Sequence, residues 1–211
     1  MIENTYLSTA YFPPIQYFTK IIDSQNIFLE LQEHFPKQTY RNRCHIYGAN
    51  GLQVLSIPIE NHSKTTLVKD IKIAYHTPWQ KNHWRSIKSA YKNAPYYDHY
   101  IDNLHSFFSY KEPFLVDLNQ KIMNVLSELI AIPWNPTPTT QYNKEVDNDW
   151  RNGIHPKTQY AKEDKSFADT SYFQLFAEKH GVLNNLSIID LLFNEGNGTL
   201  IEIKKSIKRI N

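Results

Sequence analysis

The sequence predicts an α/β protein, with a short, mainly parallel sheet and a hairpin over residues 1–76 and a predominantly helical half over 77–211. Three observations carry this. The first 31 residues read strand, sharp turn, helix, strand; an Asn-Gly pair sits between two apolar runs; and apolar periodicity switches from two to between three and four at Thr77. A chain of 211 residues is long enough to bury a sizeable core without disulfide or metal. One domain is expected.

The first strand is read over Thr5–Phe12 and stops at Pro13-Pro14, which cannot donate to a ladder. Ile15–Ile22 places Tyr17, Phe18, Ile21 and Ile22 at helical spacing, with proline suited to the helix start. Asn26–Leu31 is an apolar run typical of a strand covered on both faces. Together these make a compact βαβ unit. Arg43–Tyr47 and Leu52–Ile59 flank Gly48-Ala49-Asn50-Gly51, and Asn-Gly accepts the positive φ of a tight hairpin turn. Val68–Ile73 alternates with period two and reads as a half-exposed strand.

Thr77-Pro78-Trp79-Gln80 has the pattern of a capped helix start, and Trp84, Ile87, Tyr91 and Ala94 then form one apolar stripe. After Pro95, a second helix carries Tyr97, Tyr100, Ile101, Leu104 and Phe108, and a third carries Leu118, Ile122, Val125 and Leu129. Residues 133–160 lose periodicity and hold four prolines, so they read as a loop, packed down permanently or closing as a lid. Thr170–His180 reads as a helix stopped by Gly181. Ser187 and Thr199 read as N-caps with an acid three residues on, and Lys204, Lys205, Lys208 and Arg209 suit the last helix's C-terminus.

Composition narrows the functional classes. Aromatics make up 14% of residues, which argues against disorder, and no apolar run approaches the ~20 residues of a membrane span. A net charge of +2 with no basic stripe disfavours nucleic-acid binding. The opening residues lack a signal-peptide pattern, and one cysteine, Cys44, suits a reducing cytoplasm. The histidines show no metal-ligand spacing, and there is no glycine-rich phosphate loop or nucleophile elbow. No cofactor is assigned, and oligomeric state is left open.

Candidate site residues remain. On a strand, Cys44 and His45 point to opposite faces and cannot pair, whereas Arg41 and Arg43, at i and i+2 beside Asn42, share a face and can clamp a phosphate or carboxylate. An arginine at a strand edge carries little packing, so replacing either one is expected to weaken anion binding without moving the unfolding midpoint. His83 lies beside the apolar stripe, where an imidazole can serve as general base. Tyr91, Tyr96, Tyr97 and Tyr100 crowd Pro95 as a possible ring platform. Asp190 reads first as a capping acid and second as a site residue.

Tyr11–Phe18, Arg41-Asn42-Arg43, Lys69-Asp70-Ile71, His83-Trp84 through Pro95-Tyr96-Tyr97, and Leu186–Gly196 together resemble the WbqC-like family. The chain departs from the family pattern at Ser8-Thr9-Ala10, where that pattern has Gln-Pro-Tyr, and at Gln16, where it has Gly. The resemblance implies a role in O-antigen or capsule synthesis. It also implies an aminoacyl or acyl transfer to a nucleotide-linked amino sugar, with a non-catalytic binding module of the same pathway as the alternative. On this reading the ligand is a small phosphate-bearing molecule. Arg41 and Arg43 hold the diphosphate, Asn42 orients the donor, His83 takes the proton, and Tyr11, Gln16, Tyr97 and Asp190 line the substrate. The front unit also looks Rossmann-like, which would place phosphates at the N-terminus of the first helix.

Overall fold

A computed structural model describes residues 2–208; Arg209, expected to end the last helix, lies outside them. β1 (Ile2–Ser8), α1 (Ile15–Ile22) and β2 (Ser24–Glu30) form the βαβ unit, with the two strands paired in parallel from Ile2↔Ser24 to Ser8↔Glu30. β1 ends four residues earlier than expected. Beyond it the chain turns sharply through Phe12, whose φ of 41° is unusual for a bulky residue. That turn is held from several sides: Tyr11 N–H donates to the Tyr40 carbonyl, Ser187 Oγ to the Phe12 carbonyl and Ile188 N–H to the Pro13 carbonyl.

The hairpin is β3 (Arg43–Gly48) and β4 (Gly51–Ser56), closed by the two-residue turn Ala49-Asn50 with Gly51 at φ 98°. Residues 68–73 are not a strand. Val68–Asp70 is a 3-10 turn, and only single bridges at Lys72 and Ile73 follow. Their alternation reflects one-sided burial, in which Val68, Ile71 and Ile73 enter the core without a continuous partner.

α2 (Trp79–Tyr91), α3 (Tyr97–Ser109) and α4 (Leu115–Ile130) make the helical layer. Two details of α2 differ from expectation. Its first N–H groups receive no side-chain cap from Thr77. Its buried stripe is Trp79, His83, Ile87, Ala90 and Tyr91, so the helix is rotated to turn His83 inward and leave Trp84 half-buried against Phe108. α4 ends at Ala131 in the left-handed conformation, φ 59°.

The expected loop 133–160 supplies the third strand. β5 (Thr137–Pro138) pairs in parallel with Phe28 and Leu29 of β2, giving the order β1-β2-β5. Proline is tolerated because β5 is an edge strand. Trp134, Trp150, Arg151 and Ile154 are buried, so in this structure the segment is packed onto the body. Residues 170–174 have no regular secondary structure, Leu175-Phe176 is a turn, and helix α5 spans only Ala177–His180 before Gly181, φ 78°.

α6 (Ile188–Glu195) and α7 (Thr199–Lys205) follow, but neither start is a capping box. Ser187 Oγ is spent on Phe12 and Thr199 Oγ1 on the Gly196 carbonyl. The architecture is therefore α/β, a short parallel sheet and hairpin followed mostly by helices. No helix among the described residues is long and apolar enough to cross a membrane.

Candidate functional site

Polar groups gather beyond the carboxyl ends of β1 and β2, where ligands collect in open α/β folds. Glu30, the last residue of β2, is fully buried, and its Oε2 takes Nη1 of Arg151 at 2.9 Å. Its Oε1 accepts from Gln32 N–H and Thr139 Oγ1. Arg151 also holds Asp149 through Nε at 2.9 Å and Nη2 at 2.6 Å, a bidentate pair. Burial acts to raise the Asp149 carboxyl, but the hydrogen bonds and charge of Arg151 outweigh it and hold it below the usual range. Arg151 thus ties the 139–152 segment to the end of β2.

Arg41 lies one layer over. It sits in a turn ahead of β3, not on the strand, so it does not share a strand face with Arg43. It is 1% exposed, pairs with Glu33 Oε1 through Nε at 2.8 Å and Nη2 at 2.6 Å, and donates to the Arg151 carbonyl and Asn152 Oδ1. Its own carbonyl accepts from Asn119. The premise of a lightly packed strand-edge arginine is corrected for Arg41, because the chain folds a carboxylate and a carbonyl onto its guanidinium.

Arg43 is different. It is half-buried on β3, its Nε has no hydrogen-bond partner, and it makes no ion pair among the described residues. Burial pulls its pKa down. The neighbouring Asn42 donates Nδ2 to the Ile57 carbonyl at 2.8 Å and leaves its buried Oδ1 unpaired. Two imidazoles feel this arginine. Burial and then the Arg43 charge lower the pKa of His45; burial and then the charges of Arg41, Lys157 and Arg43 lower that of His155. Both rings are therefore neutral near pH 7.

The remaining sequence candidates lie apart in role. His83 is buried, with Nδ1 3.0 Å from Tyr11 Oη and its ring 5.1 Å from that of Trp79, and burial pushes its pKa down to about 4. It is held as a neutral core histidine, and Tyr11 is buried with it. Gln16 is clamped by Asp164 at 2.8 Å and by both side-chain groups of Asn185. The first N–H groups of α1 go to the Leu186 carbonyl, Asn185 Oδ1 and the Pro14 carbonyl, so the expected phosphate position there is already filled by protein. Tyr97 packs on Phe193 at 5.6 Å. Asp190 accepts from Tyr91 at 2.8 Å and Tyr172 at 2.7 Å, makes no ion pair among the described residues, and burial pushes its pKa up to about 6.

Sequence reasoning missed Glu33, Arg151, Asn152 and His155. The legible signal was Asp149-Trp150-Arg151, an acid and a base at i and i+2 around a large aromatic inside an otherwise polar loop.

The fold is that of an α/β protein with a buried ionic network beyond the carboxyl ends of a parallel sheet and, on the hairpin, a half-buried Arg43 with no ion pair among the described residues. The sequence profile of the WbqC-like protein family matches residues 9–162, which includes all of these groups, and the chain belongs to that family. Comparison with curated proteins and with solved structures finds no match.

Proposed function

We propose that this protein acts in the cytoplasm in bacterial surface-polysaccharide (O-antigen or capsule) biosynthesis. It binds a phosphate-bearing, nucleotide-linked amino sugar and transfers an acyl or aminoacyl group to its amine. The observation that carries the reading is Arg43, a half-buried guanidinium with no carboxylate partner among the described residues, two residues from His45 on β3 and with its charge helping to lower the pKa of both His45 and His155. A phosphate docked there supplies the missing counter-charge, and Asn42 stands beside it. In the transfer, the neutral amine attacks the acyl carbonyl carbon, the bond to the donor's leaving group breaks with its electron pair, and the amine proton passes to His45. His45 replaces His83 in this role because His83 is buried between Tyr11 and Trp79.

The enclosure of His83 equally favours the second reading, a module that binds the nucleotide-sugar without turning it over. One experiment separates the two. Titration with UDP should show binding that Arg43→Ala weakens about 10- to 150-fold, the size of a charge-assisted contact. Incubation with a UDP-linked amino sugar and an acyl-thioester donor should yield the N-acylated product by mass spectrometry, and His45→Gln should abolish it. Binding without product selects the module; UDP affinity equal in wild type and Arg43→Ala rejects both.

A further inference from the structure

The ionic network beyond β2 leaves one carboxylate oxygen unpaired. Glu30 and Asp149 both pair with Arg151, with the charge of Lys162 also acting on Asp149, whereas Glu33 pairs with Arg41 alone among the described residues. Both Arg41 contacts fall on Oε1 of Glu33, so Oε2 has no hydrogen-bond partner among the described residues. Glu33 is 5% exposed, and what exposure it has opens on a cleft of about 300 Å³ lined by Gln32, Glu33, His34, Pro36, Tyr142 and Asn152.

We propose that this cleft is an amine-recognition subsite, taking the primary ammonium group of a small polar ligand on Glu33 Oε2. Three features fit that chemistry. A carboxylate held in place by a buried guanidinium needs no reorganisation to receive a cation. Gln32 uses its Nε2 on the Thr139 carbonyl and Asn152 uses its Oδ1 on Arg41, which leaves one amide acceptor and one amide donor for hydroxyls. The Tyr142 ring, 47% exposed and stacked over the Arg151 guanidinium at 4.9 Å, offers a flat wall. An amine beside several hydroxyls is the pattern of an amino sugar. That identification of the ligand rests on the proposed function, in which the bound ammonium loses one proton to solvent and leaves Glu33 before the neutral amine attacks, whereas the preference for an amine rests on Glu33 alone. Asn152 and Arg41 join this cleft to the Arg43 region, because Arg41 touches Asn152 and its charge reaches His155.

The test is a titration of the isotope-labelled full chain, followed by NMR, with glucosamine and with N-acetylglucosamine as the uncharged control. Glucosamine should bind at least ten times more tightly and shift the side-chain amides of Gln32 and Asn152. Glu33→Gln should reduce glucosamine affinity at least tenfold and erase the preference. Should Glu33→Gln not fold, Tyr142→Ala decides, with an expected severalfold loss for glucosamine. Equal affinity for the two sugars, shifts confined to other surfaces, or an unchanged affinity in either folded variant overturns the proposal. UDP in a parallel titration reports on Arg43 and His45. Amine selectivity without UDP binding removes the nucleotide-sugar reading and leaves the subsite; UDP binding without amine selectivity does the reverse.

Discussion

Arg151→Ala tests whether the buried ion network holds the 139–152 segment in place. Arg151 donates to both oxygens of Asp149, to Glu30, to the Asn143 carbonyl at 2.8 Å and to the Lys144 carbonyl at 3.4 Å. Asp149 is partly exposed and can be rehydrated, but the Glu30 side chain is 1% exposed and would be stranded as a buried charge. Breaking a buried pair in this way costs about 3–5 kcal/mol. For a chain of this length that lowers the unfolding midpoint by about 6–20 °C. Denaturant unfolding followed by Trp fluorescence measures the loss. The double variant Glu30→Gln/Arg151→Met removes both charges and should recover at least half of it, because the only ion it leaves without Arg151, Asp149, is partly exposed and is rehydrated. A loss under ~1 kcal/mol in Arg151→Ala, or a double variant as unstable as the single, would refute the reasoning.

Two further outcomes follow from burial. His83 has its pKa pushed from 6.5 down to about 4, so its contribution is complete above about pH 6.5 and is lost as pH falls towards 4. Asp190, pushed from 3.8 up to about 6, works the other way, since the folded state binds the extra proton and its contribution shrinks as pH rises through that window. Asp190→Asn should therefore steepen the acid-side loss of stability between pH 4 and 6, measured by denaturant unfolding at several pH values; an unchanged slope contradicts the assignment. Gly196→Ala should destabilise by at least ~2 kcal/mol, because φ is +53° and a Cβ there would overlap the ring of Tyr96. Adding Tyr96→Ala relieves the overlap but not the backbone strain, so calorimetry should show only partial recovery.

By itself the sequence determined the local elements. Apolar spacing and proline placement sufficed for α1, for the βαβ unit and for α2 to α4, because these depend on neighbours a few residues apart. The Asn-Gly pair sufficed for the hairpin, since its turn needs a positive φ that Gly51 provides. The tertiary structure decided everything that depends on distant partners. β5 has two residues and no periodicity, and exists only because the edge of β2 is there to bond it. α2 turned His83 inward, since Trp79 and Ile87 outweighed Trp84 in choosing the buried face, and a one-residue rotation changes a proposed base into a core histidine. Most of all, Arg41 and Arg43 are two residues apart and chemically alike, yet one is neutralised by Glu33 and the other is not. Ion pairing is set by which carboxylate the fold carries within reach, and sequence spacing holds no record of that.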